Sequence, residues 1–455
     1  VSIWFTHILT QTVFILSLIF ISFALKAKRP PGSTMAWLIF IFLVPYVAIP
    51  FYILLSQRKI KTGLAIKKYS YPDNIFESND PKRNDLEKML MSLGTPPPRP
   101  TKEIKLIGSG ELAIDSITAL ITNAKTSIFL TTFIFANDEI GNKIVGLLEQ
   151  KLLKGVTVKI LIDSFGASWA KHPSFVSFKK AGGKISYFMP FFQKPFKGKY
   201  NLRNHRKMLI VDAKYAIVGG MNIADEYMGA GKNVWIDVAV QIEGQAVQDL
   251  EEVFRRDWQF ATGIEVDSSF DQSPTLTSNN QIQIIPTGPD LKNDPLYDFI
   301  LNLIYNAKEH IWLATPYFIP DESLAKALEL ALRRGVEVKI WVPKRSNHRL
   351  ADFAGRSYLH DLFSVGAEIL YVSKMMHGKA LVVDTNYALS GSANFDMRSL
   401  FINYEIGIVT FGKEVILSFK NWFETLPAER LTIWPKHNFY ERLVEEVARV
   451  LGPVI

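Results

Sequence analysis

The 455-residue chain contains no cysteine. Disulfides, thiol nucleophiles and Cys-ligated metal centres are thereby excluded, although the absence says little about compartment. Histidine is scarce too: there are 8, none at His-x-x-x-His spacing or beside an Asp-rich cluster, so no metal site is readable. His7, His172, His310, His348, His360 and His437 read as surface or packing residues, which leaves His205 and His377. An excess of one charge sign is also largely missing. Lys+Arg 52 against Asp+Glu 44 gives a formal net charge of +8, which suits an anionic partner without separating lipid from nucleic acid.

What the chain does have is repetition. His-x-Lys-(x)4-Asp occurs at His205-Arg206-Lys207 through Asp212 and again at His377-Gly378-Lys379 through Asp384. Each copy leads into a small-residue turn ending in Asn, Gly219-Gly220-Met221-Asn222 and Gly391-Ser392-Ala393-Asn394, at identical spacing. A single copy arises by chance in roughly one chain in fifty of this size, and two with matching Asn residues are far rarer. The residue types suit phosphodiester chemistry. A neutral imidazole can attack phosphorus, a second can protonate the leaving oxygen, and Lys and Asn can stabilise the non-bridging oxygens. Each copy supplies one His, one Lys and one Asn, so a single site needs both. The duplicated motif resembles the signature of the phospholipase D superfamily.

Asp212 and Asp384 follow apolar strands at their far ends, where an acid more often fixes a turn, and both are expected to be structural. Glu405 follows Asn394 at the separation the family uses for the acid that hydrogen-bonds its histidine; the resemblance implies that it holds Nδ1–H and leaves Nε2 free. The same spacing in the first half lands on Asn233, a departure from the pattern. Asp237, four residues later, is the chosen counterpart, with the loop Ala224 to Lys232 longer here. Gly220 stands where the second half has Ser392, so the halves are not equivalent.

At the amino terminus, Ile8–Leu25, extendable back to Ile3, and Met35–Leu55 are uncharged apolar stretches joined by a turn holding Lys26, Lys28 and Arg29. A cleavable signal peptide or two buried helices are the alternatives to a two-helix transmembrane hairpin over residues 1–60, the reading adopted. Arg58, Lys59, Lys61, Lys67 and Lys68 follow the second stretch and favour a cytoplasmic catalytic part. Residues 61–100, ending in Gly94-Thr95-Pro96-Pro97-Pro98-Arg99-Pro100, read as a stiff linker.

Two similar halves follow, 101–270 and 271–455, separated by the polar run Asp267–Asn280. Asn123-Ala124-Lys125 is echoed by Asn306-Ala307-Lys308, Lys154-Gly155-Val156 by Arg334-Gly335-Val336, and Ala181-Gly182-Gly183 by Val365-Gly366-Ala367. Amphipathic helices alternate with Val/Ile-rich strands, which predicts an α/β fold with a largely parallel sheet in each half. Two phospholipase D-type halves related by a pseudo-two-fold would bring both motif sets into one cleft.

Ala36-Trp37, the proline-bearing second apolar stretch, Ile285-Pro286-Thr287-Gly288-Pro289 and Thr315-Pro316-Tyr317-Phe318-Ile319-Pro320-Asp321 narrow the resemblance to bacterial cardiolipin synthases of the phospholipase D type, over nearly the whole chain. That resemblance implies transfer of a phosphatidyl group from one phosphatidylglycerol to another, with release of glycerol, at the bacterial cytoplasmic membrane. It implies no cofactor and no catalytic metal, no nucleic-acid partner, and an anionic membrane around the enzyme; a homo-oligomer is compatible. His205 is assigned as nucleophile and His377 as acid and base by analogy, with Lys207, Asn222, Asp237, Lys379, Ser392, Asn394 and Glu405 completing the site. A hydrolase or a phosphatidyltransferase with another headgroup would use the same residues. A nuclease suits the basic charge but needs no hairpin, and a non-catalytic membrane-binding protein needs neither motif set intact. Just before His205, Tyr187–Tyr200 interleaves aromatics with lysines. Phe191, Phe192 and Phe196 with Lys194, Lys197 and Lys199 form a candidate lipid-interface loop, against the alternative of core packing.

Overall fold

A computed structural model describes residues 3–26, 31–55, 59, 84–168, 172–190, 201–231, 233–267, 280–435 and 438–452. The candidate interface residues Phe191, Phe192, Lys194, Phe196, Lys197 and Lys199 lie outside the described residues, as do His437 and Lys232.

The apolar N-terminal stretches form three helices that make one compact unit: α1 (Ile3–Lys26), α2 (Pro31–Leu43) and α3 (Pro45–Leu55). Among the described residues, α1 is the helix long and apolar enough to cross a membrane by itself. The second expected helix is interrupted at Val44. Val44 N–H still donates to Phe40 at 3.0 Å and Ala48 N–H to Val44 at 2.9 Å, but Pro45 has no N–H to give. α1 contacts both α2 and α3 around Ala24, Ile41, Ala48 and Tyr52, so the three helices close on one another.

The remaining elements form the second unit. The stretch read as a linker is partly folded. In α4 (Asp85–Ser92), capped by the Asn84 side chain, Leu86 and Leu90 join the core of the second half. Pro96 is buried, its carbonyl accepting from Gln283 Nε2 at 2.9 Å. The proline-rich end of the stretch is thus packed into the fold, with Pro96 and Pro97 buried.

The first half runs β1 (Arg99–Ile107), α5 (Gly110–Asn123), β2 (Ser127–Thr132), α6 (Glu139–Leu152), β3 (Thr157–Asp163), α7 (Ser164–Ser168), α8 (Phe175–Lys180), β4 (Lys184–Phe188), β5 (Met208–Val211), β6 (Tyr215–Gly219), α9 (Asp225–Met228), β7 (Ala239–Gly244) and α10 (Ala246–Thr262). The second half repeats the scheme. Its first members are β8 (Gln281–Thr287), α11 (Pro295–Asn306), β9 (His310–Ala314), β10 (Phe318–Ile319), α12 (Glu322–Arg333), β11 (Glu337–Pro343), α13 (Arg349–Ser364) and β12 (Glu368–Val372). It closes with β13 (Ala380–Val383), β14 (Tyr387–Gly391), β15 (Phe395–Asp396), α14 (Met397–Phe401), β16 (Glu405–Thr410), α15 (Lys413–Thr425), β17 (Ala428–Arg430) and α16 (Phe439–Leu451). Helix starts are set by side-chain caps: Ser109, Asp138 and Asp321 accept from Leu112, Gly141 and Leu324 N–H.

All strands except β10 and β15 join one 15-stranded sheet, ordered β17-β12-β11-β9-β13-β14-β16-β8-β1-β7-β6-β5-β2-β3-β4. Read outward from the β8–β1 seam, the two directions repeat each other for seven strands, which is the pseudo-two-fold, and β17 is an additional edge strand of the second half. Pairing is parallel for β2–β3–β4 and β9–β11–β12 and antiparallel for the strands nearer the seam, so the sheet is mixed, not largely parallel. The hairpins β5–β6 and β13–β14 reverse direction after a short turn, which is why the motif strands run against their neighbours. β2 and β16 are buried along their whole length, as strands covered on both faces must be.

Asp212 and Asp384 sit in those hairpin turns at φ +54° and +52°. The Asp212 carboxylate accepts from the N–H groups of Lys125, Thr126 and Ser127 at 2.7–2.9 Å, and Asp384 from Lys308, Glu309 and His310 at 2.8–3.3 Å. Each acid therefore ties its turn to the first residues of β2 or β9, at the end of its strand away from the histidine. Asp384→Ala leaves three N–H groups without this acceptor and puts an alanine at positive φ, so it should cost about 2–3 kcal/mol. Asp384→Asn keeps one acceptor oxygen and tolerates the backbone, and should cost about half as much. Thermal unfolding of the detergent-solubilised chain measures both, and an unchanged Tm for the alanine variant would remove the turn-fixing role.

Candidate active site

His205 enters the site from the segment before β5. Its N–H donates to the Tyr404 carbonyl at 2.9 Å, while Tyr404 N–H donates to Arg203 at 2.8 Å. The second half mirrors this. His377 N–H donates to Ile236 at 2.6 Å, and Ile236 N–H to Met375 at 2.9 Å. Each histidine segment is thus paired with backbone of the opposite half, next to that half's acid. The consequence is a crossed arrangement: His205 Nδ1 lies 2.9 Å from Glu405 Oε1, and His377 Nδ1 lies 2.7 Å from Asp237 Oδ2.

Strand register identifies Asp237 as the positional counterpart of Glu405. Gly219 pairs with Ala239 and Gly391 with Gly407, so each acid lies two residues before the partner of its turn glycine. Asp237 follows Asn222 by 15 residues and Glu405 follows Asn394 by 11, the extra length being taken up by the loop that carries α9. The turn residues differ to match. Ser392 Oγ donates to Glu405 Oε2 at 2.5 Å. A Cβ built on Gly220 would overlap Asp237 Oδ1, so that turn has no room for a serine unless the acid moves.

The remaining motif residues are buried around the two pairs. Lys207 Nζ donates to the His205 carbonyl at 2.7 Å; Lys379 donates to the His377 carbonyl, with Nζ 2.8 Å from Nδ1 and 3.2 Å from Nε2 of that ring. Asn222 Oδ1 accepts from Ile134 N–H at 3.1 Å and its amide donates to the Tyr227 hydroxyl at 2.9 Å. Asn394 donates to Asp396 at 2.9 Å, while its Oδ1 is buried without a hydrogen-bond partner among the described residues.

Several contributors carried no motif signal. Arg206, fully buried, donates to Asp257 at 2.6 Å, to the Glu405 carbonyl at 3.0 Å and to the Thr287 carbonyl at 2.9 Å. Asn204 donates to the other oxygen of Asp257 at 2.9 Å, and Asn403 reaches Glu405 Oε1 at 3.3 Å. Aromatic rings flank both imidazoles: Phe133 edge-on to His205 at 5.3 Å, and Tyr227 and Trp235 against His377 at 5.2 and 5.5 Å. The position of Arg206 between motif His and Lys was the one hint of its clamp; nothing local marks Asp257.

Burial sets the protonation states. It lowers both histidines; the Lys379, Lys207 and His205 charges push His377 well below its ordinary value, whereas Glu405 partly restores His205. Burial lowers Lys207 well below the usual lysine range and Lys379 to about 8. The two acids diverge. Burial raises Asp237 to about 7 against the pull of Lys379, the Val238 N–H and Lys207. Burial also pushes Glu405 up, but His205, Lys207 and the Ser392 hydroxyl more than offset it and hold the carboxylate below its ordinary range. Two mainly neutral imidazoles, each with Nδ1 engaged by a carboxyl group and a lysine beside it, can attack an electrophile and pass a proton from one face to the other.

Comparison with known proteins shows the family and the fold. A family described as "Cardiolipin synthase, PLD-like domain" matches residues 117–258 and 300–426, and one described as "Phospholipase_D-nuclease N-terminal" matches residues 13–57. Cardiolipin synthases of Listeria monocytogenes and Clostridium perfringens are each 32% identical to the chain, over 94% of it and 95% of their own length. The crystal structure of a phosphatidylserine synthase from Haemophilus influenzae superposes with a TM-score of 0.64 at 16% identity, covering 82% of this chain and all of that one; it shares the fold.

The raised Asp237 carboxyl makes a pH-dependent contribution to stability. In the folded chain it holds its proton to about pH 7, against 3.8 ordinarily, so its contribution is fully present below about pH 4 and is lost as pH rises through 7. Asp237→Asn removes that dependence. The Tm of the unsubstituted chain minus that of Asp237→Asn should fall steadily from pH 4.5 to 8, and a flat difference would contradict the raised value.

Proposed function

The chain belongs to the phospholipase D-type cardiolipin synthase family, and on that premise we propose that it joins two phosphatidylglycerols into cardiolipin and glycerol through a phosphatidyl-histidine. The observation that carries the reading is the crossed pair of His–carboxyl contacts, which gives one site two oriented imidazoles.

In the first step His205 Nε2 attacks the phosphorus of one phosphatidylglycerol, forming an N–P bond as the P–O bond to glycerol breaks. Nδ1–H of His205 is held by Glu405, whose ionised carboxylate offsets the positive charge that grows on the ring. His377 gives its Nε2 proton to the departing glycerol oxygen. In the second step neutral His377 takes the proton of a terminal glycerol hydroxyl on the second phosphatidylglycerol, that oxygen attacks phosphorus, and the N–P bond breaks. One phosphodiester replaces another, so the covalent intermediate retains the bond energy and no nucleotide is consumed. Lys207 and Lys379, with the Asn222 and Asn394 amides once turned toward substrate, neutralise the non-bridging oxygens. Asp237 holds His377 at Nδ1 through the proton cycle. Ser392 fixes Glu405 by donating to its second oxygen.

The same reading places the catalytic part at the cytoplasmic face of a bacterial membrane, with α1 as one span and α2–α3 as a proline-broken second. The basic residues Arg58, Lys59, Lys61, Lys67 and Lys68 that follow in sequence support that side. Residues 1–60 are the anchor in this scheme, 61–100 the connection, 101–270 and 271–455 the halves, and Phe191, Phe192, Lys194, Phe196, Lys197 and Lys199 of the lysine-aromatic run Tyr187–Tyr200 a candidate contact with lipid headgroups.

His205→Ala and His377→Ala should each lower phosphatidyl transfer by at least about 100-fold with the fold intact, since acid–base and nucleophilic roles contribute at that level or above. The assay is purified chain with labelled phosphatidylglycerol and mass spectrometry of the lipids: cardiolipin with free glycerol is expected, whereas phosphatidic acid would make the chain a hydrolase. A phosphatidyl adduct trapped on position 377 instead of 205 would reverse the two roles, and either variant retaining more than a tenth of the activity would end the shared-site mechanism.

A further inference from the structure

α16 is built inside out. Its start is fixed by a capping box in which the Asn438 side chain accepts from Glu441 N–H and Glu441 accepts from Asn438 N–H, so it is a defined helix. A surface helix of a soluble domain turns its apolar stripe toward the core. Here the side turned inward, onto α13, carries Glu445, Ala448 and Arg449, whereas Glu441, Arg442 and Glu446 stay exposed. Glu445 lies 3.7 Å from Arg356, Glu446 accepts from Ser357 at 3.2 Å, and Arg449 bonds Ser357 at 3.0 Å and stacks over Tyr358. The apolar residues Phe439, Tyr440, Leu443, Val444, Val447 and Val450 fall within one arc of roughly 140° and are all exposed, Phe439, Tyr440 and Val450 by three quarters.

We propose that this face is a membrane-surface anchor: α16 lies flat in the headgroup zone of the bilayer and carries the active-site loop of the second half against it. Two observations favour a bilayer over a second copy of the chain. The face is a single 13-residue helix, about 20 Å long, which offers on the order of 400 Å², about half of the ~800 Å² per partner of a stable dimer. A bilayer has no such threshold, because the chain already contains a helix able to cross one and so meets lipid at high local concentration. The end of α16 also packs on elements that adjoin the site. A Cβ on Gly452 would lie 3.0 Å from Ile319 and 3.2 Å from Met397, residues of β10 and α14. β10 pairs with β15, which directly follows Asn394. Docking of α16 thus sets the depth of the loop that carries Asn394. Only this link to catalysis rests on the lipid substrate proposed above; the docking itself does not.

The absence of cysteine makes the test direct, since a single introduced thiol can be labelled alone. Full-length V447C carrying an environment-sensitive fluorophore is reconstituted into vesicles of phosphatidylglycerol and phosphatidylethanolamine and compared with K154C, an exposed position beyond α6. The label at 447 should emit further to the blue, be quenched at least threefold more by acyl-brominated lipid than the label at 154, and be shielded from aqueous iodide. Equal exposure of the two labels to iodide would overturn the proposal. Shielding that persists in detergent with energy transfer between labels would assign the face to a second copy, and overturn it equally. The double variant Leu443→Glu/Val447→Glu, at exposed positions, should lose at least tenfold of its transfer on vesicles while staying within twofold on short-chain phosphatidylglycerol in micelles; equal losses would refute the link to the site. Quenching needs no turnover, so a chain that docks but makes no cardiolipin would end the proposed function and leave the docking standing.

Discussion

Neither half of the molecule orients its own histidine. The Nδ1 of His205 is held by Glu405 from the second half, and that of His377 by Asp237 from the first. This exchange is possible because the backbone crosses with the side chains, His205 against Tyr404 and His377 against Ile236. Arg206 locks the crossing from below. Its guanidinium joins Asp257 of the first half to the carbonyls of Thr287 and Glu405 in the second, with no solvent access. An arginine so placed is stable only while all of its acceptors are present, since an unpaired buried charge costs several kcal/mol. Separation of the halves would take from Arg206 its two carbonyl acceptors and from each acid its histidine at once. The continuous sheet through the β8–β1 seam is therefore a condition of the site, not just its support.

Duplication has not made the two half-sites alike. In the second turn Ser392 donates to Glu405; in the first, Gly220 leaves space that the Asp237 carboxyl fills. Both acids are fully buried, and burial pushes each of them up. With His205, Lys207 and Ser392 about it, Glu405 stays ionised, while Asp237 lacks the hydroxyl and rises to about 7. The surroundings of each acid, His205 foremost and the Ser392 hydroxyl last, thus separate a carboxylate held below its ordinary range from a group that titrates near neutrality. That difference favours His205 for carrying covalent charge and His377 for exchanging protons.

The chemistry of the site was more legible than its assembly. His205, Lys207, Asn222 and their counterparts His377, Lys379 and Asn394 stand out because a repeated pattern at fixed spacing is a one-dimensional signal. Asp237 is less visible, because its loop is four residues longer than the one before Glu405 and only strand register restores the equivalence. The crossing could not be read at all: it depends on which of two histidines an acid meets across a long-range interface, and spacing along the chain is silent on that. Asp257 is hidden for the same reason. At the level of fold, alternating helices and strands disclosed the α/β class, but the sheet is mixed because β5–β6 and β13–β14 are hairpins. The proline composition before β1 suggested a spacer where Pro96 is buried against Gln283 and α4 packs on the second half. Proline restricts the backbone in either setting; only tertiary contact decides between them.

The two motif lysines connect substrate binding to the charge state of the site. Burial holds Lys207 far down and Lys379 near 8, because each ammonium has lost water; the Lys379 charge lowers Lys207 further, while Glu405 and Asp237 only partly offset the shift on each. A phosphodiester monoanion brought between them supplies the missing counter-charge, so both ammonium forms become more favourable as it binds. The same anion favours the protonated form of His377, whose neutral state owes much to Lys379 and Lys207. On the proposed assignment of roles, binding thereby favours the charged form of the acid that the first step consumes. Once glycerol departs with that proton, His377 returns to the neutral state imposed by its surroundings and is ready to act as a base. The aromatic walls of Phe133, Tyr227 and Trp235 exclude water from these contacts and keep the shifts large. Proton delivery and proton uptake are thus successive consequences of one buried cluster of charges, with the substrate phosphate as its variable member.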